Sequence, residues 1–200
     1  MITKSLLYYE LMSKTIISLV GHPASGKTSA AKYLEEKYGF AIFTFSRAIR
    51  DYAQKNGIEL TRRADYANTH ARMLDENGWD YTLKLALGQS TDRLCIDDVR
   101  SPRFADVLRR AGSVDIAFDC PDVIRFNHVQ ESKDTAKYPR TPSSFFKNER
   151  ADNKVVIGPG LEFNTGEVMR TATYHIDASG TLADTYSQLD KILAELLSNR

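Results

Sequence analysis

Eight consecutive residues, Gly21-His-Pro-Ala-Ser-Gly26-Lys27-Thr28, carry the most specific chemistry in this sequence. They fit G-x-x-x-x-G-K-[ST] without a gap, and each fixed position has a physical reason. Gly21 and Gly26 let the backbone fold tightly, so the amides from Gly21 through Ala24, Ser25, Gly26, Lys27, Thr28 and Ser29 can converge on phosphate oxygens. A helix starting near Lys27 would add its positive end. Lys27 is placed to reach β- and γ-phosphates as a point charge, and the Thr28 hydroxyl is a ligand of the kind Mg²⁺ takes. A chance match to this pattern is expected in about one chain of this length in a hundred. The His22 side chain reads either as a phosphate or substrate contact or as a tolerated loop residue.

A second cluster lies at Asp97-Asp98-Val99-Arg100, directly after the apolar run Leu94-Cys95-Ile96. A carboxylate at such a strand end is what Mg²⁺-assisted phosphoryl transfer needs. Asp97 follows the apolar run immediately and is the first choice, with Asp98 next. Capping of the helix that Pro102 opens is the structural alternative for either. Arg50, Arg72 and Arg100 form a candidate clamp for a second, phosphorylated substrate, because guanidinium groups match phosphate geometry. Arg125 and Arg140, with Lys133, Lys137 and Arg150, are candidates to close over the transferring group. Glu149, Asp152 and Glu162 read as solvated or structural, as do His70, His128 and His175. No H-E-x-x-H, C-x-x-C or G-x-S-x-G occurs, so metalloprotease, zinc-knuckle and hydrolase-elbow chemistry lose support.

These residues need a scaffold, and the hydrophobic pattern supplies one. Residues 15–20, 40–45, 93–97, 114–118 and 173–176 read as short buried strands. Helices are expected over 27–38, from a Ser46 cap to Asn56, from a Thr61 cap to Asn77, over 79–87, over 102–110, from Pro121 onward, and over 181–197. Strands alternate with helices, which predicts a three-layer α/β/α domain around a five-stranded parallel sheet. The stretch 133–169 is polar and rich in Gly, Pro and Asn, and reads as an irregular lid or binding loop. Residues 1–14 read as an extension preceding a single domain over 15–200.

Composition agrees with a globular domain: 42% hydrophobic and 26% charged residues in 200, with a formal net charge of +1. The charge balance gives no nucleic-acid footprint. No apolar run approaches the roughly 20 residues of a membrane span, and the N-terminus lacks a signal-peptide pattern. Cys95 and Cys120 sit in apolar segments and read as small core residues in a reducing, cytoplasmic setting.

Taken with Phe45-Ser46, Arg50 and the ending Ala172 to Gly180, these features resemble the P-loop nucleoside monophosphate kinase superfamily, near adenylate-kinase-like, dephospho-CoA-kinase-like and phage deoxynucleoside monophosphate kinase-like members. The resemblance implies a P-loop NTPase fold, with ATP as phosphate donor and Mg²⁺ as cofactor. It assigns Lys27 to the transferring phosphoryl group, Thr28 and Asp97 to the metal, and Arg50, Arg72 and Arg100 to the acceptor's phosphate. The expected activity is phosphoryl transfer to a small phosphorylated acceptor, a nucleoside or deoxynucleoside monophosphate. The alternatives are a dephospho-CoA kinase and a nucleotide-binding regulatory or assembly ATPase. This chain departs from many relatives in carrying Asp98 where they have Gly, and in its sparse lid arginines.

Overall fold

The computed structural model describes residues 14–132, 139–153, 155–158 and 161–198. The extension before Lys14, and the lid candidates Lys133 and Lys137, lie outside the described residues. Five strands form the main sheet: β1 (Thr15–Val20), β2 (Ala41–Thr44), β3 (Arg93–Asp97), β4 (Ser113–Asp119) and β7 (Tyr174–Asp177). All pair in parallel, in the order β2-β3-β1-β4-β7. A sheet covered on both faces needs apolar residues on both, and β1 is buried along its whole length. Its side chains alternate: Ile17 and Leu19 join one core, Ile16 and Val20 the other.

The first core is closed by α1 (Lys27–Tyr38) and α9 (Leu182–Ser198), through Leu34 of α1 and Leu189 and Leu193 of α9. The second is closed by α2 (Phe45–Lys55), α3 (Arg63–Asn77), α4 (Tyr81–Leu87) and α5 (Pro102–Arg110), through Ile49, Met73, Leu83 and Phe104. The chain leaves β1 toward β2 and β3 on one side and later passes to β4 on the other. The strand order therefore reverses at the carboxyl end of β1, where ligands gather in open α/β sheets.

Local chemistry sets the element ends. Thr44, not Ser46, caps α2, accepting the Arg47 N–H at 3.2 Å. The Thr61 amide and hydroxyl both donate to the Asp65 carboxylate, fixing the entry to α3. Pro102 occupies the first turn of α5, where its missing N–H costs nothing.

The stretch expected to be irregular is largely regular. After α6 (Asp122–Glu131) come α7 (Pro142–Asp152), an antiparallel hairpin of β5 (Val156–Gly158) and β6 (Leu161–Glu162), and α8 (Thr165–Arg170). Several of its apolar residues point inward, though Val156 is exposed: Ile157, Leu161 and Val168 enter the second core, and Phe145 is also buried. Fully burying such a side chain contributes about 1.5–3 kcal/mol, enough to order a segment whose composition is polar. The turn residues become caps. Thr141 accepts the Ser144 N–H ahead of Pro142, and Asn164 accepts the Glu167 N–H at 3.2 Å to start α8.

Candidate functional site

The chain turns at Gly21 as it leaves β1. A Cβ there would lie 2.8 Å from the Ser25 hydroxyl and 3.2 Å from the Phe118 carbonyl oxygen, so the loop closes only around glycine. Ala24 (φ 63°) and Gly26 (φ 92°) are both left-handed. Gly26 adopts this freely, whereas for Ala24 it costs on the order of 1–2 kcal/mol, local strain in the turn itself. The first helical bond of α1 runs from the Ala30 N–H to the Gly26 carbonyl at 3.0 Å, and no side chain caps the helix. The Lys27, Thr28 and Ser29 amides consequently have no helical acceptor, and no acidic residue sits in the first turn to compete for its positive end. Inside the loop, the Ser25 hydroxyl is buried without a hydrogen-bond partner. A phosphate oxygen would remove that cost.

Lys27 is buried and folds back over the loop, donating to the carbonyls of Gly21 (2.8 Å) and His22 (3.0 Å). Its ammonium lies 3.5 Å from Asp98. Asp98 in turn accepts from Arg100 Nε at 2.7 Å. Burial pulls the Asp98 carboxyl upward, but Arg100 and Lys27 outweigh it and hold the group well below the usual carboxylate range. Asp98 is also left-handed (φ 70°), and its amide and that of Val99 both donate to the Leu19 carbonyl at 3.1 Å. Those two bonds dock the exit of β3 against β1, beside the loop. Asp97, the sequence's first choice, is buried one residue earlier.

Arg125, expected to close over the transferring group, and His128, expected to be structural, both contact carbonyls of the loop. Arg125 of α6 is 1% exposed, and its guanidinium donates to the Pro23 carbonyl (3.1 Å), to Asp122 and, through both terminal nitrogens, to Glu149 of α7. It lies against the Phe145 and Phe146 rings. His128 contacts the Ala24 carbonyl through Nδ1 at 2.9 Å. His22 lies 3.4 Å from Glu149; burial lowers its pKa, Glu149 opposes this, and Arg125 and Lys27 add to the lowering. The sequence signal for Glu149 was weak: a carboxylate 24 positions after an arginine has no periodic meaning.

The remaining arginines have separate surroundings. Arg125 is engaged by one loop carbonyl and two carboxylates. Arg140 donates to the carbonyls of Val129, Gln130 (3.0 Å) and Ser132 (2.9 Å), closing the C-terminal end of α6 in the manner of a basic cap. Arg72 pairs with Glu76 one turn along α3 at 2.7 Å, in an exposed position. Arg50 is exposed on α2. Of the three expected acceptor clamps, Arg100 is linked to the phosphate loop through Asp98 and Lys27.

The donor set suits Mg²⁺. Among the described residues, no group of three or more His, Cys, Asp or Glu side chains could hold a metal by itself. Mg²⁺ normally takes one or two protein oxygens together with substrate phosphates. The exposed Thr28 hydroxyl and the Asp97 carboxylate ending β3 could supply oxygens of that kind.

A parallel five-stranded sheet, a glycine-gated loop and a buried lysine at a helix N-terminus define a P-loop NTPase α/β domain. The chain belongs to the family described as AAA domain, whose model matches residues 17–153. It is 23% identical over 198 residues to a UPF0200/UPF0201 protein of Archaeoglobus fulgidus, covering 94% of this chain. The match spans only 58% of that relative's length. A shorter match, 49% over 45 residues, is to a cytidylate kinase of Methanocella arvoryzae, covering 22% of this chain and 26% of that protein. The fold is similar to a gluconokinase from Sinorhizobium meliloti (TM-score 0.52, 17% identity, covering 94% of this chain and 95% of that one). Among the described residues, no helix is long and apolar enough to cross a membrane.

Proposed function

We propose that this chain transfers the γ-phosphoryl group of ATP to a small phosphorylated acceptor, a nucleoside or deoxynucleoside monophosphate. One observation carries the reading: the uncapped start of α1, with the buried Lys27 ammonium held above the Gly21–Thr28 loop. The open amides would bind the donor's β- and γ-phosphates. Lys27 would exchange its carbonyl contacts for phosphate oxygens and follow the γ-phosphoryl as charge spreads over it. Thr28 and Asp97 would hold Mg²⁺, which when bound neutralises charge between the β- and γ-phosphates. Arg100 would orient the acceptor's phosphate. An acceptor oxygen forms a bond to the γ-phosphorus while the bond bridging to ADP breaks. The acceptor phosphate is already ionised at neutral pH, so no strong general base is needed, in keeping with a site in which the His22 ring serves the loop. The similarity to a cytidylate kinase over 45 residues supports an acceptor of this class.

The test pairs calorimetry with ATP and Mg²⁺ with an ADP-release assay over a panel of acceptors: nucleoside monophosphates, dephospho-CoA and unphosphorylated sugars. ADP release with a monophosphate is the expected result. Turnover of dephospho-CoA or a sugar alone would replace the acceptor. ATP binding with hydrolysis but no acceptor would favour a regulatory ATPase, and no heat with ATP would end the proposal.

A further inference from the structure

We propose that Asp98 is a specificity-determining residue of the phosphate site: its carboxylate is a built-in counter-ion for Lys27, held in place by Arg100, and every incoming phosphate competes with it. It sets a threshold that a polyphosphate clears and a lone phosphate does not. The inference rests on the phosphoryl-transfer reading and gives Asp98 a part in it distinct from metal binding and from helix capping.

The backbone puts the carboxylate in its place. Asp98 is left-handed at φ 70°, a conformation that aspartate tolerates better than most side chains do. The Asp98 and Val99 amides both donate to the Leu19 carbonyl at 3.1 Å, which anchors the turn to the end of β1, just before the loop begins. From there one carboxylate oxygen lies 3.5 Å from the Lys27 ammonium. The other accepts from Arg100 Nε at 2.7 Å and also pairs with Nη2 of the same guanidinium. The Asp98 side chain is 33% exposed and that of Lys27 only 8%, so an approaching anion meets the carboxylate before it meets the ammonium.

That order of encounter has a cost. A phosphate that takes Lys27 separates it from Asp98 and then lies close to a negative group, in a partly buried site where repulsion is weakly screened. Arg100 keeps the carboxylate from swinging away. The cost is similar for any phosphate, but the compensation is not. A triphosphate also engages the open amides of the loop and of the first turn of α1, several contacts made together. A lone phosphate reaches few of them. Two other roles fit Asp98 less well. A general base needs a lone pair ready for a proton, whereas this carboxylate already accepts from one cation and faces another. Capping of α5 is not observed, since no side chain caps that helix. The ion pairs stabilise the empty protein and oppose phosphate, so removing the charge should move stability and affinity in opposite directions.

Calorimetry with ATP, with and without Mg²⁺, and with inorganic phosphate tests this on wild type, Asp98→Asn and Asp98→Gly, alongside urea denaturation of each protein. Asn and Gly both accept the left-handed backbone, so each variant removes the charge and keeps the turn. Both should be less stable than wild type, yet bind ATP and inorganic phosphate about tenfold more tightly, the scale of one charge-assisted hydrogen bond. The tightening should appear whether or not Mg²⁺ is present, and inorganic phosphate should compete with ATP at lower concentration in the variants than in wild type. Affinity that falls together with stability would overturn the proposal and make Asp98 a structural brace. Weakening confined to the Mg²⁺ titrations would overturn it in favour of a metal ligand, and unchanged affinity for both ligands would overturn it outright. No ATP binding by any of the three proteins would instead remove the donor reading on which the proposal rests.

Discussion

Lys27 concentrates the residue-scale chemistry, because its ammonium is already desolvated and, among the described residues, bound to two loop carbonyls and one carboxylate. A cation so placed needs little reorganisation to meet a phosphate. Lys27→Ala should lower turnover by about 10²–10³-fold, the usual cost of removing one preorganised electrostatic contact. Far-UV circular dichroism should stay unchanged, since α1 begins and ends with backbone bonds that the side chain does not make. Wild-type turnover in this variant would refute the role. Asp98→Asn probes the partner. Asn tolerates the left-handed backbone that Asp98 adopts, so the variant isolates the charge. Because the Asp98 carboxyl is held below its unfolded value, its stabilisation is present above the ordinary carboxylate range and is lost as pH falls through the depressed value. The variant should be less stable than wild type at pH 7, and the gap should narrow toward strong acid in paired urea titrations.

At the scale of elements, the loop rests on α6 and α7 through one buried ion pair. Removing one partner of a buried pair leaves an uncompensated charge and typically costs about 3–5 kcal/mol. Glu149→Ala leaves Arg125 its Asp122 partner, so the loss in urea denaturation should fall below that figure, and ATP binding should weaken, because Arg125 holds the Pro23 carbonyl inside the loop. Unchanged ATP affinity in a folded Glu149→Ala protein would detach α7 from the loop's geometry. The same contacts show which parts of the molecule the sequence could reveal. The loop was legible because its requirements are contiguous: two glycines, a lysine and a hydroxyl within eight residues. The sheet was legible from its β-branched runs, with strand ends shifted by a residue or two. Helix α7 was not, because it has little hydrophobic periodicity and gains its order from tertiary contacts, Phe145 and Phe146 against Phe126 and Glu149 against Arg125. Thr141-Pro142 with Ser144 was the one local cue, a cap followed by a proline suited to a first turn. Arginine roles were the least legible. A sequence shows that Arg125, Arg140 and Arg72 are charged, but not that one is buried, one closes a helix and one pairs with its own helix neighbour.

On the scale of the whole molecule, the helical layer over β2, β3 and β1 meets at His70, and this junction gives the fold an acid limit. His70 of α3 is 2% exposed, contacts the Thr82 hydroxyl of α4 at 3.4 Å, and faces the rings of Phe45 from α2 and Phe104 from α5. Burial disfavours the imidazolium and pushes the pKa down from 6.5 to about 4. The unfolded chain therefore binds a proton between those values while the folded chain does not. The contribution to stability is full above about pH 6.5 and is lost progressively as pH falls toward 4, reaching about 3 kcal/mol. A thermal-denaturation series from pH 7.5 to 4.5 should show the midpoint falling through this window. His70→Gln keeps a polar partner for Thr82 and removes the titration, so the fall should flatten even though packing against Phe45 and Phe104 is poorer at every pH. Four helices share this contact, so its protonation loosens the layer that positions α5 and, through Ser101 and Arg100, the outer edge of the phosphate site. Turnover should then decline with the same midpoint as the thermal shift, and a decline at a different pH would separate catalysis from this junction.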